Sequence, residues 1–139
     1  MLKKHSSGLE KISDEDGLYR TIHPLWIKDK GITSAAFKQR PPLDSRLVGR
    51  HSLDLSVDIA RLTTPEKVLL SHSGYGIGII TASFVLNLKL VIYHAPEPSN
   101  YAHAIVFGKL TGSMAKIIAR SAKLLRYEEV FSPILPQGQ

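Results

Sequence analysis

Residues 53–60, Leu-Asp-Leu-Ser-Val-Asp-Ile-Ala, carry the clearest structural pattern in this chain. Large apolar side chains occupy every second position, and polar or small side chains lie between them. Because successive side chains of a β-strand point to opposite faces, the alternation predicts a strand with one buried face. Asp54 and Asp58 lie on the polar face, roughly 13 Å apart along an extended strand. Two such carboxylates could form an acid/base or magnesium pair, but at that separation they are too distant to share one ion directly. We expect them to face solvent or to pair with lysines.

A helix is predicted directly after this strand, beginning in the run Thr63-Thr64-Pro65-Glu66. Threonine is a good helix cap, proline fits the first turn, and glutamate favours the positive end of the helix dipole. We expect the helix to end near Gly74. The glycine-rich run 74–78 is then expected to be flexible. Residues 79–86 are apolar and β-branched enough for a strand, with a short helix at Thr81-Ala82-Ser83 as the alternative.

Two further strands are predicted on either side of the segment Pro96-Glu97-Pro98-Ser99-Asn100-Tyr101-Ala102-His103-Ala104. The apolar runs at 88–94 and 102–107 are each short enough to be a strand, and the two prolines require a turn between them. Asn100 would then lie in the turn and His103 near the start of the second strand. Functional side chains are often presented on such loops between rigid elements.

The rest of the chain completes a single α+β domain. We expect a mixed or mostly antiparallel sheet with two helices, of which the longer is C-terminal. An early strand over residues 18–27 is interrupted at His23-Pro24, and Thr111-Gly112-Ser113 caps a helix that runs to about Tyr127. The predicted parts are a mobile arm at residues 1–16, the domain at 17–131 and an irregular tail at 132–139.

Composition limits the class of protein further. A chain of 139 residues with 43% hydrophobic residues is long enough for one domain with a real core. It has no apolar run of the ~20 residues that a membrane helix needs and no apolar segment after its basic N-terminus. We therefore expect a cytoplasmic protein without a membrane partner.

The absence of cysteine excludes disulfides and thiolate metal sites. A net charge of +6 favours anionic partners.

The predicted C-terminal helix concentrates positive charge. Successive helical residues rotate by about 100°, so Lys116, Arg120 and Lys123 fall on one stripe with Lys109. No acidic residue lies between Lys109 and Tyr127 to neutralise that stripe. A solvated lysine-rich face is one interpretation, and contact with phosphates is the other. The helix start adds amides, hydroxyls and a lysine, which can serve either as a cap or as a phosphate site. The predicted anion-binding residues are Lys109, Thr111, Ser113, Lys116, Arg120 and Lys123.

A second group of residues has the chemistry of catalysis. Histidine is the usual residue for proton transfer near neutral pH, and His23 and His103 both flank predicted strands. If these two histidines share one cleft with Arg20 and Asn100, the protein would be a small enzyme that acts on a nucleotide or RNA. A structural His103, bonded to loop backbone, is the other interpretation. His94, Glu97 and His103 have no recognised metal-ligand spacing, so we expect no metal and no cofactor.

Several short motifs between residue 18 and about residue 120 resemble a family of small uncharacterised bacterial proteins. They are Leu18-Tyr19-Arg20, Ser34-Ala35-Ala36-Phe37, Leu55-Ser56-Val57, Leu62-Thr63-Thr64-Pro65-Glu66 and Asn100-Tyr101-Ala102-His103-Ala104. No activity is known for that family, so the resemblance implies a bacterial source rather than a chemistry.

The first motif, followed by a serine-containing strand, is also similar to ADP-ribosyltransferase-like toxins. That similarity implies that Arg20 helps to hold NAD and that a later strand supplies a serine such as Ser34 or Ser56. The chain departs from the pattern at the late catalytic glutamate, because Glu128 and Glu129 follow the final predicted helix.

Three hypotheses of function follow from these observations. The first is a protein that binds an anionic partner, above all nucleic acid, through the basic helix. The second is a small ribonuclease-like or ADP-ribosyltransferase-like enzyme that uses Arg20, His23 and His103. The third is a subunit that has a protein partner and no activity of its own. We favour the first hypothesis, because it rests on the helical spacing of the basic residues, whereas the second rests on residue types alone.

Overall fold

The computed structural model describes residues 9–29, 31–38 and 53–131, with the backbone alone at Leu53 and Asp54. The predicted tail at 132–139 and the first eight residues of the predicted arm lie outside this range. The described strands are β1 Gly17–Ile22, β2 Ile27–Lys28, β3 Gly31–Ile32, β4 Leu53–Ile59, β5 Gly76–Thr81, β6 Val91–His94, β7 His103–Gly108 and β8 Lys123–Leu125.

Six of these strands form one sheet in the order β6-β7-β4-β1-β5-β8, and β2 pairs with β3 in a separate hairpin. Every pairing between described strands is antiparallel. The helices are α1 Pro65–Leu69, α2 Ala82–Asn87, α3 Gly112–Ser121 and α4 Tyr127–Phe131. The prediction of an α+β fold with a mostly antiparallel sheet is confirmed. The described part of the chain has four helices rather than two, and the longest, α3, lies towards the C-terminus as predicted.

Both predicted helix starts are confirmed by their caps. The Thr64 hydroxyl accepts a hydrogen bond from the Lys67 amide at 3.2 Å, and the Thr111 hydroxyl accepts one from the Met114 amide at 3.1 Å. Each bond satisfies one of the amides that a helix start leaves without an intrahelical partner. The alternating segment at 53–59 is β4, so the strand predicted there is also confirmed.

The glycine-rich run was predicted wrongly, because Gly76 and Gly78 lie inside β5 and are buried. A Cβ at Gly78 would lie 3.1 Å from the Ile32 side chain and 3.2 Å from the Ile22 side chain. The small residue therefore lets the core pack close to the strand. The strand predicted at 79–86 ends at Thr81, whose hydroxyl caps α2 by accepting from the Phe84 amide at 3.4 Å. The short helix kept as the alternative is the correct interpretation there.

The C-terminal helix is shorter than predicted. Helix α3 ends at Ser121, because Ala122 is extended, with φ −70° and ψ 140°. The next three residues pair with the edge of β5 as β8, with Leu124 opposite Gly78. Glu128 and Glu129 lie within α4 rather than after the final helix. Upstream, the predicted strand 18–27 also ends early, because the segment Pro24–Trp26 forms a 3-10 turn.

The two faces of the sheet have different coverings. One face, which we call the core face, carries buried residues such as Leu18, Val57 and Val106. They belong to the main hydrophobic cluster, which also includes α3 residues and the 3-10 turn Ser34–Phe37. The other face, which we call the open face, is covered at the β1–β5 end by a smaller cluster of residues from α1, α4 and β5. In its middle the open face carries polar side chains, those of Ser56 and Asp58 on β4 and His103 on β7.

Strands β1 and β4 are neighbours in the sheet but pair over a short distance. Their register contains Leu18 opposite Ile59 and Tyr19 opposite Asp58. Beyond that point, the Arg20 guanidinium donates from Nη1 to the Ser56 carbonyl and from Nε to the Ala36 carbonyl, both at 3.0 Å. The arginine thus joins β4 to the 3-10 turn that covers the core face. Thr21 and Ser56 lie where regular pairing has stopped.

Candidate functional site

A cleft of about 580 Å³ opens on the open face of the sheet. We call it the sheet-face cleft. Its floor is made by β1, β4 and β7, one wall by α1 and the residues after it, and the other by the Pro-rich turn. A volume in this range is typical of small-molecule sites. Floor residues are Tyr19, Thr21, Ser56, Asp58 and His103; wall residues are Lys67, Val68, Ser71 and His72 on one side and Glu97, Ser99, Asn100 and Tyr101 on the other.

Three ionisable side chains form a row across the floor. Tyr19 on β1 lies directly opposite Asp58 on β4, and Asp58 lies directly opposite His103 on β7. Directly opposed residues have Cβ atoms about 4.5–5.5 Å apart. The antiparallel register therefore places a phenol, a carboxyl group and an imidazole side by side, although they come from distant parts of the chain.

The hydrogen bonds of His103 determine which ring nitrogen carries its proton. Nδ1 lies 2.8 Å from the Ala95 carbonyl oxygen, which can only accept. Nδ1 therefore donates, and Nε2 keeps its lone pair in the neutral ring. The Glu97 carboxylate lies 3.8 Å from the same Nδ1. Within the described residues, Nε2 has no hydrogen-bond partner, which leaves it for a ligand.

Asn100 holds the carboxyl group beside His103 in place. Its Nδ2 donates to Asp58 Oδ1 at 2.7 Å, and its own Oδ1 accepts from the Ala102 amide at 3.2 Å. The second bond fixes the orientation of the amide, so Nδ2 must face Asp58. Asp58 was expected to face solvent or pair with a lysine; instead it is bonded to the turn and lines the cleft. Asn100 is thus a positioning residue for Asp58.

His94 has a different role from His103. It is 4% exposed, its Nδ1 accepts from the Glu10 amide at 2.9 Å, and its Nε2 donates to the Tyr101 carbonyl at 2.6 Å. Both nitrogens are therefore used inside the protein. His94 connects the N-terminal segment to the Pro-rich turn, and we assign it a structural role.

The N-terminal segment is also held by charged groups. Arg61 donates from Nε to Asp16 at 2.8 Å and from Nη1 to Glu10 at 3.0 Å. Hydrogen bonds first from Tyr101 and then from Arg61 lower the pKa of Glu10, and the bond to Glu10 raises the pKa of Tyr101. The pKa of Arg61 is raised by its own hydrogen bonds, first the one to Glu10 and then the one to Asp16. Part of the predicted arm, Glu10 to Asp16, is thereby tied to the domain.

A second cavity of about 300 Å³ adjoins the cleft. We call it the aromatic pocket, because the rings of His23, Trp26 and Tyr75 line it together with Arg20 and Lys38. The His23 ring lies 5.1 Å from the Tyr75 ring and 5.8 Å from the Trp26 ring, centroid to centroid. His23 Nδ1 accepts from the Leu25 amide at 3.0 Å and so caps the 3-10 turn.

The four residues predicted as catalytic separate into two pairs. Asn100 and His103 line the sheet-face cleft, whereas Arg20 and His23 line the aromatic pocket. The predicted single cleft is therefore two adjoining cavities. Arg20 is engaged by backbone carbonyls of the fold. Of the two serines named from the resemblance, Ser34 lies in a 3-10 turn and Ser56 lines both cavities.

The predicted anion-binding residues do not share one helix face. Lys116 and Arg120 are one turn apart on the exposed side of α3, but Lys109 precedes the helix and Lys123 lies on β8. The continuous stripe was wrong, because it required the helix to extend through Lys123. The Thr111 hydroxyl is used as the helix cap, and Ser113 is exposed in the first turn. Lys116, Arg120 and Lys123 have no ion pair within the described residues.

An exposed apolar patch lies at the β6–β7 end of the open face. Val91 lies opposite Phe107, and these side chains are 54% and 36% exposed. Tyr93 lies opposite Ile105 and is 45% exposed. Such a patch is what the hypothesis of a subunit in a larger assembly expects.

Three comparisons with known proteins give no further guidance. No protein-family model, curated protein or solved structure matches the chain, so the resemblances described from the sequence stay predictions. No group of three or more metal-ligating side chains that could hold an ion is found in the described part of the chain. No helix in that part is long and apolar enough to cross a bilayer.

Proposed function

We propose that this protein is a small enzyme that acts on a nucleotide in the sheet-face cleft, with His103 as its acid–base residue. The observation that carries the proposal is the hydrogen bonding of His103. Its Nδ1 is committed to the Ala95 carbonyl, and its Nε2 has no partner among the described residues. A histidine held by one nitrogen and available at the other is the arrangement that proton transfer requires.

The surroundings of His103 support that role. The carboxylate of Glu97 lies 3.8 Å from Nδ1. Asp58 lies directly opposite His103, and Asn100 fixes it through one carboxylate oxygen. The other oxygen of Asp58 has no hydrogen bond within the described residues, so it can accept one from a ligand hydroxyl. In the proposed reaction, a water or a ligand hydroxyl attacks the phosphorus of a phosphate ester while Nε2 takes its proton. The ester P–O bond then breaks, and Nε2 returns that proton to the departing oxygen.

The lining of the cleft supports a nucleotide as the ligand class. Lys67 supplies a positive charge for phosphate, and Thr21, Ser56 and Ser71 supply hydroxyl groups for a sugar. The net charge of +6 favours the approach of an anion. The cleft is open and polar, which suits a charged ligand better than an apolar one.

The test of the proposal is a pair of substitutions at His103. An asparagine there can keep the donor to Ala95 but has no equivalent of Nε2. We expect H103N to bind AMP or a dinucleotide with unchanged affinity and to lose turnover by roughly 10²- to 10⁴-fold, the usual contribution of a general acid–base group. Turnover is followed by chromatography of a panel of nucleotides and short RNAs incubated with the protein.

Glu66→Gln is the matched control, because Glu66 lies at the exposed start of α1 outside the cleft. E66Q should turn over the same nucleotides as the unaltered protein. Equal turnover by H103N and the unaltered protein would contradict the role of His103. No binding of any member of the panel would contradict the nucleotide class.

A second function is favoured by two exposed cations of α3. We propose that Lys116 and Arg120, one turn apart on the exposed side of the helix, contact the phosphates of a nucleic acid. They have no ion pair within the described residues. Lys123 is left out, because it lies opposite Ile79 on the open face of the sheet, whereas α3 packs on the core face. Two phosphate contacts to duplex DNA would give a slope of about −1.8 in a plot of log affinity against log salt.

That slope can be measured by fluorescence anisotropy with a labelled duplex. The double variant K116Q/R120Q should lose most of the slope, whereas K11Q should keep it, since Lys11 lies on the N-terminal segment. Binding that is independent of salt, or unchanged in the double variant, would eliminate this second function.

A further inference from the structure

We infer that the aromatic pocket is the base-binding subsite for the nucleotide whose reacting group lies at His103. The inference rests on the proposed function and extends it, because it assigns each part of the ligand to a part of the groove. It is drawn from the continuity of the two cavities, from the rings that line the smaller one, and from the position of His103 in the larger one.

The two cavities are parts of one groove. Thr21 and Ser56 line both of them, at the place where β1 and β4 no longer pair. A chain of ring contacts also passes from one cavity to the other. His72, which lines the sheet-face cleft, lies 5.1 Å from the Tyr75 ring, and Tyr75 lies 5.1 Å from the His23 ring. A ligand longer than one cavity can therefore extend from one to the other, over the place where β1 and β4 no longer pair.

The smaller cavity has the chemistry of a base subsite. Its wall is made by three aromatic rings, those of His23, Trp26 and Tyr75, on elements that the fold holds in place. Aromatic side chains bind nucleobases by stacking, and every base offers a planar face. Lys38 at the same cavity adds a cation that can lie against the face of a planar ring.

The position of the reacting group sets the direction of the ligand, because the proposed function places that group at His103 in the sheet-face cleft. Lys67 lines the same cleft together with the carboxyl groups of Asp58 and Glu97. Arg20 and Lys38 line the aromatic pocket, so charge alone does not set the direction. Hydroxyl groups of Thr21 and Ser56 lie at the junction. A nucleotide with its base in the aromatic pocket would thus place its sugar at the junction and its phosphate in the sheet-face cleft.

Trp26 makes this arrangement testable, because it is the single tryptophan of the chain and lines the proposed base subsite. We expect AMP to change Trp26 fluorescence and to shift the NMR signals of the His103 ring. Adenosine should change the fluorescence, and ribose 5-phosphate should shift His103 without changing the fluorescence. Y75L should weaken AMP binding by about fivefold or more, as expected for a lost base–aromatic contact, and leave ribose 5-phosphate binding unchanged.

Y93L is the control, because Tyr93 is an exposed tyrosine of the same sheet face outside both cavities. W26L, followed by NMR, is the second variant if Y75L does not fold. Equal affinity for AMP and ribose 5-phosphate, with no effect of Y75L, would overturn the base subsite and leave the proposed enzyme standing. Fluorescence changes with adenosine and AMP but no shift at His103 would overturn the proposed enzyme instead. Absence of any binding would overturn both.

Discussion

Substitution of His94 tests whether this histidine stabilises the fold, in contrast to His103, to which we assign a role in function. Replacing His94 with alanine removes the partner of the Glu10 amide and of the Tyr101 carbonyl, whose bonds to the ring measure 2.9 and 2.6 Å. His94 is 4% exposed, so water cannot readily replace it. A buried polar group left without a partner costs about 1–3 kcal/mol.

Two such groups give an expected loss of about 2–6 kcal/mol in the free energy of unfolding. That is a large fraction of the roughly 5–15 kcal/mol that holds a typical domain together. The assay is urea unfolding followed by the fluorescence of Trp26. We expect the midpoint to fall and the slope with urea to stay the same, because the surface exposed on unfolding hardly changes.

H103N is the internal comparison for H94A. His103 gives one ring bond to the fold, and asparagine can keep it, so we expect H103N to unfold within about 1 kcal/mol of the unaltered protein. A loss of less than about 1 kcal/mol in H94A would refute the structural role of His94. A loss in H103N as large as that in H94A would show that His103 serves the fold.

Two further predictions concern stability. Gly108 has φ +140°, and a Cβ there would lie 2.9 Å from the Leu90 side chain; G108A should therefore lose about 1–3 kcal/mol in urea unfolding, whereas G31A, with open space around it, should lose much less. The folded protein lowers the pKa of Glu10 below its ordinary value of 4.5, so the Glu10 contribution is present above that value and is lost as the pH falls through the folded pKa. E10Q should be less stable at neutral pH and should show a weaker acid dependence of its melting temperature; an identical acid dependence in both proteins would contradict the assignment.

Local sequence patterns predicted those elements whose causes are local. The alternation at 53–60 has one interpretation because the side-chain period of a strand is two. Thr64 and Thr111 act through an amide three residues away, so their caps are visible in the sequence. The Pro-rich turn could be placed for the same reason, since proline cannot continue a ladder.

Elements that depend on distant partners were not predictable in this way. Lys123 is on a strand because the edge of β5 is available to it, which a helical projection cannot reveal. The run 79–86 is mostly apolar and has no clear period, so only the cap at Thr81 marks the change from strand to helix.

The site was predicted in part. Asn100 and His103 were recognised from the turn, but Asp58 was not, because its neighbour His103 is set by the register of β4 with β7. The sequence offered one indication of its role, because Asp58 lies on the polar face of the strand predicted from the alternation at 53–60. The four residues predicted to share one cleft line two cavities, Arg20 and His23 one and Asn100 and His103 the other, and this separation depends on where β1 and β4 stop pairing.

The central claim is that the groove over β1, β4 and β7 is where a nucleotide binds. Its most direct test is a titration of the complete chain with AMP, followed in backbone ¹H–¹⁵N NMR spectra at physiological salt. The claim predicts that the largest shifts occur at Thr21, Ser56 and His103, with Lys116 and Arg120 unchanged. Largest shifts at Lys116 and Arg120, with the groove unchanged, would contradict it.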